Sequence, residues 1–247
     1  MVAVPGTNFD TSHATDETAI DLFVTSPGRL ALVDLQQLKQ GLSAPTAHTQ
    51  FEQNLLPKID LAIVRQQDID SVYHQAQQGN IWSKARIIVY NENNVQSMLH
   101  ETPLAQASAG HTGLRYANRV AGNVDAQVIH DSLGDAEVGV LSELYDFITG
   151  TGVLQKIPRR LYIILSGSMG PCLGCQGRIA AFIDDLNALA NSIHARIPLT
   201  FEVNYTTATN PLNRTQYGYD GDKEVVVGPQ AMPDYVYWSK TFEKILG

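Results

Sequence analysis

The residues best suited to chemistry are two cysteines, in the run Gly170-Pro171-Cys172-Leu173-Gly174-Cys175. They are the only cysteines in the chain, and a pair this close encloses too small a loop to staple a fold. Their use is therefore chemical or metal-binding. Pro171 suits the first position of a helix, where its missing N–H costs nothing, and a helix N-terminus favours thiolate over thiol. An apolar stripe at Ile179, Phe182, Ile183, Leu186, Ala190 and Ile193 continues back through both cysteines, so both thiols start on the packed face of that helix. Two thiolates one turn apart, following a strand, fit either zinc or a redox disulfide.

Two carboxylates lie in the preceding helix, read over residues 135–149. Its stripe of Val140, Leu141, Leu144, Phe147 and Ile148, stepped back by three or four positions, lands on Glu137. A carboxylate on a buried face is costly unless paired or coordinated; the ordinary alternative is a first-turn residue that reaches water or complements the helix dipole. Asp135 also has an ordinary reading, because Ser132-Leu133-Gly134-Asp135 fits a capping box. His130, five residues earlier, is a candidate ligand or substrate contact, against the plainer reading of a surface or capping histidine.

The elements that must position these groups alternate. Residues 127–130 read as the end of a strand, 135–149 as a helix, 161–165 as a strand, 172–194 as a helix and 199–206 as a strand, an order that packs helices on a sheet. A turn-rich stretch, 207–234, follows with a short strand at 224–227. Tyr235, Trp238, Phe242 and Ile245 then recur at helical spacing and predict a final helix. Before the regular part, residues 1–30 read as a loose lead-in with a short strand at 19–24, and apolar spacing over 30–42 and 51–78 predicts two or three helices. A strand is read at 86–90 and a small-residue connector at 101–110, with a domain boundary near residue 105.

At 247 residues and 44% hydrophobic, the chain has apolar residues enough for a core. Its formal charge of −8 repels a phosphate backbone as a whole. Neither part is basic: six basic residues face eleven acidic ones before residue 106, and eleven face fourteen after it. Nucleic-acid contact therefore requires a local basic surface. No apolar run approaches the roughly 20 residues of a membrane span, and a basic-then-apolar signal pattern is lacking at the start. The expectation is a protein without membrane partners, cytoplasmic as synthesised.

The combination Asp135-Ala136-Glu137 followed by Pro171-Cys172-Leu173-Gly174-Cys175 resembles the zinc-dependent cytidine deaminase superfamily, whose first motif is usually His-x-Glu or Cys-x-Glu and whose second is Pro-Cys-x-x-Cys. The run from Cys172 to Phe182 is most similar to the bacterial toxin branch, some members of which carry Asp at the first ligand position. The resemblance covers about residues 110–210. It implies an α/β fold with a cytidine deaminase-like sheet and helices in α-β-α layers and a catalytic domain at 106–247, preceded by the mainly helical region that apolar spacing predicts at 31–105, to which it assigns no role. It also implies that Asp135, Cys172 and Cys175 hold one zinc ion with a fourth position for water, and that Glu137 carries protons as cytosine becomes uracil. Delivery into a competing cell and neutralisation by an immunity protein follow from the same resemblance.

For substrate, the expectation is a nucleobase in single-stranded DNA or RNA, with a free nucleoside or nucleotide as the alternative. Arg214 and Tyr217, with Gln216 and Tyr219, form a candidate stacking and phosphate-contacting loop, and Asn123, with Asn118, is a candidate contact to a sugar or base edge. Two other functions compete. A thioredoxin-like redox protein also has strand, Cys-x-x-Cys and helix, with Pro198 as the proline facing the disulfide. A non-catalytic zinc-bearing module would use the same ligands only to brace its fold.

Overall fold

The computed structural model describes residues 30–45, 48–76, 81–207, 226–227 and 236–247. The expected strand at 19–24 lies outside them. Helices α1 (Leu32–Leu42) and α2 (Gln50–Ala76) come first. They pack on each other through Leu35, Leu38, Leu55, Ile59 and Ala62, and α2 continues through Pro57. Then come strands β1 (Trp82–Tyr90), β2 (Gln96–Glu101) and β3 (Ala105–Gln106), and a 3-10 turn at Ala109–Gly113. The remainder runs α3 (Ala126–Asp131), α4 (Ala136–Thr151), β4 (Arg160–Gly167), α5 (Leu173–Ser192), β5 (Ile197–Thr207), β6 (Val226–Val227) and β7 (Val236–Leu246).

The strands among the described residues form one mixed sheet in the order β2-β1-β4-β5-β7-β6, with β3 also paired to β1. Strands on both sides of residue 105 share it: β1 and β4 pair antiparallel from Ser83↔Gly167 to Tyr90↔Arg160. Among the described strands only β4 and β5 run parallel, and α5 is the crossover that parallel neighbours require. Both faces of the sheet are covered, which is why 161–165 reads as a continuous apolar run. Leu161, Ile163 and Leu165 face one way with Leu199, Phe201 and Val203, against Leu141 and Leu144 of α4 and Phe182 and Leu186 of α5. Tyr162 and Ile164 face the other way, with Ile88, against Leu61 and Val64 of α2.

Two expectations are corrected. Residues 127–130 lie in helix α3, not in a strand; Asp125 caps it, accepting the Gln127 N–H at 2.7 Å. The final segment is strand β7 and not a helix: it pairs with β5 from Ile197↔Leu246 to Thr207↔Val236. Its aromatic and β-branched residues suit a pleated surface, and Phe242 and Ile245 stay exposed while Leu246 is buried. The three- and four-residue spacing that mimicked a helix was coincidence within a strand-prone sequence. Strand β2 had no apolar alternation to announce it, since most of its residues are exposed.

Candidate metal centre

The N-terminal ends of α4 and α5 meet on the face carrying the main core. Cys172 is the N-cap of α5; its Sγ accepts the Cys175 N–H at 3.3 Å, which turns both thiols toward the same point. Asp135 is the N-cap of α4 but makes no side-chain cap bond. Its carboxylate instead accepts from both thiols through Oδ2, at 3.2 Å from Cys172 Sγ and 3.0 Å from Cys175 Sγ. One ligand atom from each of Asp135, Cys172 and Cys175 falls within 4.8 Å of the others, a group that could hold a metal ion. The capping-box reading of Asp135 is thereby overturned. Ser132 Oγ donates to Val128 O at 2.7 Å and accepts from Arg178 at 2.7 Å.

Glu137 is 3% exposed, so the buried-face reading holds and the frayed-end alternative fails. One carboxylate oxygen lies 3.6 Å from Cys175 Sγ and the other 3.5 Å from the Tyr205 hydroxyl. Burial and the Asp135 carboxylate beside it push its pKa up to about 7. The Cys172 thiol is held below its ordinary value because it accepts a hydrogen bond from Cys175. The same bond and burial hold Cys175 well above its own. Both helix N-termini direct their positive dipole ends at this cluster, which favours the charged forms a cation needs.

Three residues that support the site were not singled out in the sequence. Tyr205 reaches Glu137 because its ring lies on Gly167 of the neighbouring strand, where a Cβ would stand 2.3 Å from the ring. Arg178 is fully buried, and its guanidinium donates to the carbonyls of Tyr116, Ala117 and Ile129 as well as to Ser132 Oγ. It ties residues 116–132 onto α5 one turn beyond Cys175. A charged residue at i+3 on the cysteine stripe was the available signal for it. His111 donates from Nδ1 to the Asp135 carbonyl, and no periodicity pointed to that contact.

The other candidates fall outside this cluster. His130 is on the exposed side of α3, and Asn118 and Asn123 are exposed in the segment before it; none belongs to the group of candidate ligands. Arg214, Gln216, Tyr217 and Tyr219 lie outside the described residues. Pro198 pairs with Ile245 at the start of β5, whereas the cysteines follow the end of β4, level with Tyr205. The seven-residue step from Pro198 to Tyr205 puts that proline roughly 20 Å away along the strand, too far to face the two thiols. Among the described residues no helix is long and apolar enough to cross a membrane. No protein-family model, curated protein or solved structure matches the chain.

Proposed function

We propose that the protein is a zinc-dependent hydrolytic deaminase of the toxin type, converting cytosine to uracil in single-stranded nucleic acid. One observation carries this reading: a buried carboxylate, Glu137, lies against a three-ligand group without belonging to it. A structural zinc module has no chemical use for such a group, and a redox dithiol would employ one carboxylate, as a base for its buried thiol, where two are present here. The donor set fits zinc, since thiolates select soft or borderline metals and three protein ligands are the number found at catalytic zinc.

In this reading Asp135, Cys172 and Cys175 hold the ion, which when bound serves as a Lewis acid toward water. Glu137 takes one proton from the attacking water and passes it to the ring nitrogen, then takes the second from the added hydroxyl and passes it to the departing amine. Water is consumed, ammonia is released and a carbonyl remains. The Tyr205 hydroxyl holds one oxygen of the Glu137 carboxylate, and the other faces Cys175. The acidic whole chain is consistent with weak, shallowly salt-dependent substrate binding. Delivery from the producing cell, and an immunity protein as partner, are part of the same proposal.

The deciding experiment measures zinc content, ammonia release and base-resolved sequence changes in DNA and RNA for the wild type and Glu137→Ala. The expected result is stoichiometric zinc in both, with turnover lowered about 10²–10⁴-fold in the variant. A wild type with zinc but no ammonia release would mean a structural module, and one without zinc a redox protein. Faster turnover of cytidine or deoxycytidine than of oligonucleotides would move the substrate to free nucleosides.

A further inference from the structure

Asp135 flanks α4 as its N-cap, just outside the helix proper. Its backbone is extended and its side chain caps nothing, so its placement depends on what holds the turn before the helix. Residues 107–113 do this. The Ser108 N–H donates to the Gly134 carbonyl at 2.8 Å, and the backbones approach so closely that a Cβ on Gly134 would stand 2.9 Å from the Ser108 carbonyl oxygen. Within the following 3-10 turn, His111 Nδ1 lies 3.0 Å from the Asp135 carbonyl oxygen. A carbonyl has no hydrogen to give, so Nδ1 is the donor. The same oxygen accepts the Val138 N–H at 3.1 Å, the first bond of the helix.

The imidazole is also braced from its other side. Its ring rests on α4 at Gly139, where a Cβ would stand 2.9 Å from both Cε1 and Nε2. Residue 139 is one turn beyond Asp135, so the ring spans the first turn of the helix and reaches the carbonyl only because position 139 lacks a side chain. A glycine inside a helix is otherwise unfavourable relative to alanine. Nδ1 is engaged by the carbonyl and Nε2 is turned to Gly139, which leaves neither nitrogen for the cluster of Asp135, Cys172 and Cys175.

We propose that His111, seated on Gly139 and hydrogen-bonded to the Asp135 carbonyl, is a positioning residue that fixes the backbone from which Asp135 presents its carboxylate to the two thiols. This rests on the metal-centre reading above. The residue ligates nothing; its effect on a bound ion is exerted through Asp135, as outer-shell partners do.

The test uses the full chain, metal-free, titrated with zinc against a chromophoric chelator and separately with cobalt(II) as a spectroscopic probe. His111→Ala should bind zinc about tenfold or more weakly and shift the visible cobalt bands, while its metal-free melting temperature stays near that of the wild type. His111→Asn, which retains an N–H donor, should recover part of the affinity. Gly139→Ala, which displaces the ring, should reproduce the His111→Ala defect, and the double variant should be no worse than His111→Ala alone, as coupled sites require. Wild-type zinc affinity and an unchanged cobalt spectrum in His111→Ala would overturn the proposal alone. A wild type that takes up no zinc would overturn the metal-centre reading and this proposal with it. Should His111→Ala fail to fold, unchanged zinc affinity in Gly139→Ala overturns the proposal and a weakened one supports it.

Discussion

On the face covered by α4 and α5, strands β4 and β5 present Leu161, Ile163, Leu165, Phe201 and Val203 to an apolar core. On the face covered by α2, the same two strands present Tyr162, Ile164, Glu202 and Asn204, and buried charged pairs stand beside a smaller apolar cluster. Arg65 of α2 pairs with Glu202, which also accepts from Tyr162 and Asn204. Arg86 of β1 forks onto Asp68 with both bonds at 2.8 Å. Glu202 and Asp68 are each 1% exposed. Apolar packing is non-directional and stabilises through area removed from water. Buried ion pairs contribute little net stability, because desolvation offsets their attraction, but they tolerate few registers. The main core therefore supplies the firm platform at whose edge the candidate ligands emerge, and the charged seam specifies where α2 lies.

This contrast can be broken in several ways. The largest effect is expected from the apolar face. Phe182→Ala should cost about 3–5 kcal/mol in urea denaturation, and adding Phe201→Ala, whose ring centroid is 6.0 Å from that of Phe182, should cost more still. Across the sheet the second substitution should help instead. Arg65→Met alone leaves the buried Glu202 carboxylate without its counterion, a loss of about 3–5 kcal/mol, whereas Arg65→Met with Glu202→Leu should regain part of it, the rest being lost with the hydrogen bonds from Tyr162 and Asn204. Equal damage from the single and double changes would remove the distinction between the faces.

An effect no larger than these should follow zinc removal by a chelator. Under the proposed function it lowers the melting temperature by on the order of 10 °C and speeds amide hydrogen exchange in the first turns of α4 and α5, while α2 keeps its protection. Exchange rising equally in α2 would show that the two faces are not independent.

The smallest effect belongs to the rim of the apolar face. Burial raises the pKa of Asp185, but hydrogen bonds from Arg119 and Tyr116 outweigh it and hold the carboxyl below its ordinary value. A carboxylate lowered on folding contributes stability above its unfolded pKa and loses it as pH falls through the folded one. Asp185→Asn should therefore lose a small contribution at neutral pH, where the wild-type carboxylate is ionised and held, and so flatten the acid limb of the stability profile below about pH 4. A neutral-pH loss as large as that of Arg65→Met would contradict the ranking.

Much of the apolar half was legible in the sequence. The stripes of α4 and α5 gave both helices within about two residues and put Glu137 on the buried side, and the spacing of Cys172 and Cys175 announced a cluster before any fold was known. The charged half was not legible, because Arg65 and Glu202 lie 137 residues apart and Arg86 and Asp68 18 apart; no local period encodes such partners. The same holds for His111 and Tyr205, which reach the site from 24 and 68 residues away. Strand β7 misled because its long ladder with β5 is a tertiary fact, and spacing alone contained a helix-like alternative.

The ligands of the candidate centre are far apart along the chain: Cys172 and Cys175 follow Asp135 by 37 and 40 residues, with α4 and β4 between them. A cation held by all three would act as a reversible clasp on that loop. Closing a loop of this length in the unfolded chain removes entropy worth about 4 kcal/mol in the chain-entropy model. Whatever frees the ion would then restore to the unfolded ensemble the freedom of a segment containing one complete helix and one central strand. Chelation would weigh on refolding as well as on chemistry, because α4 and β4 would have to find each other without the tie.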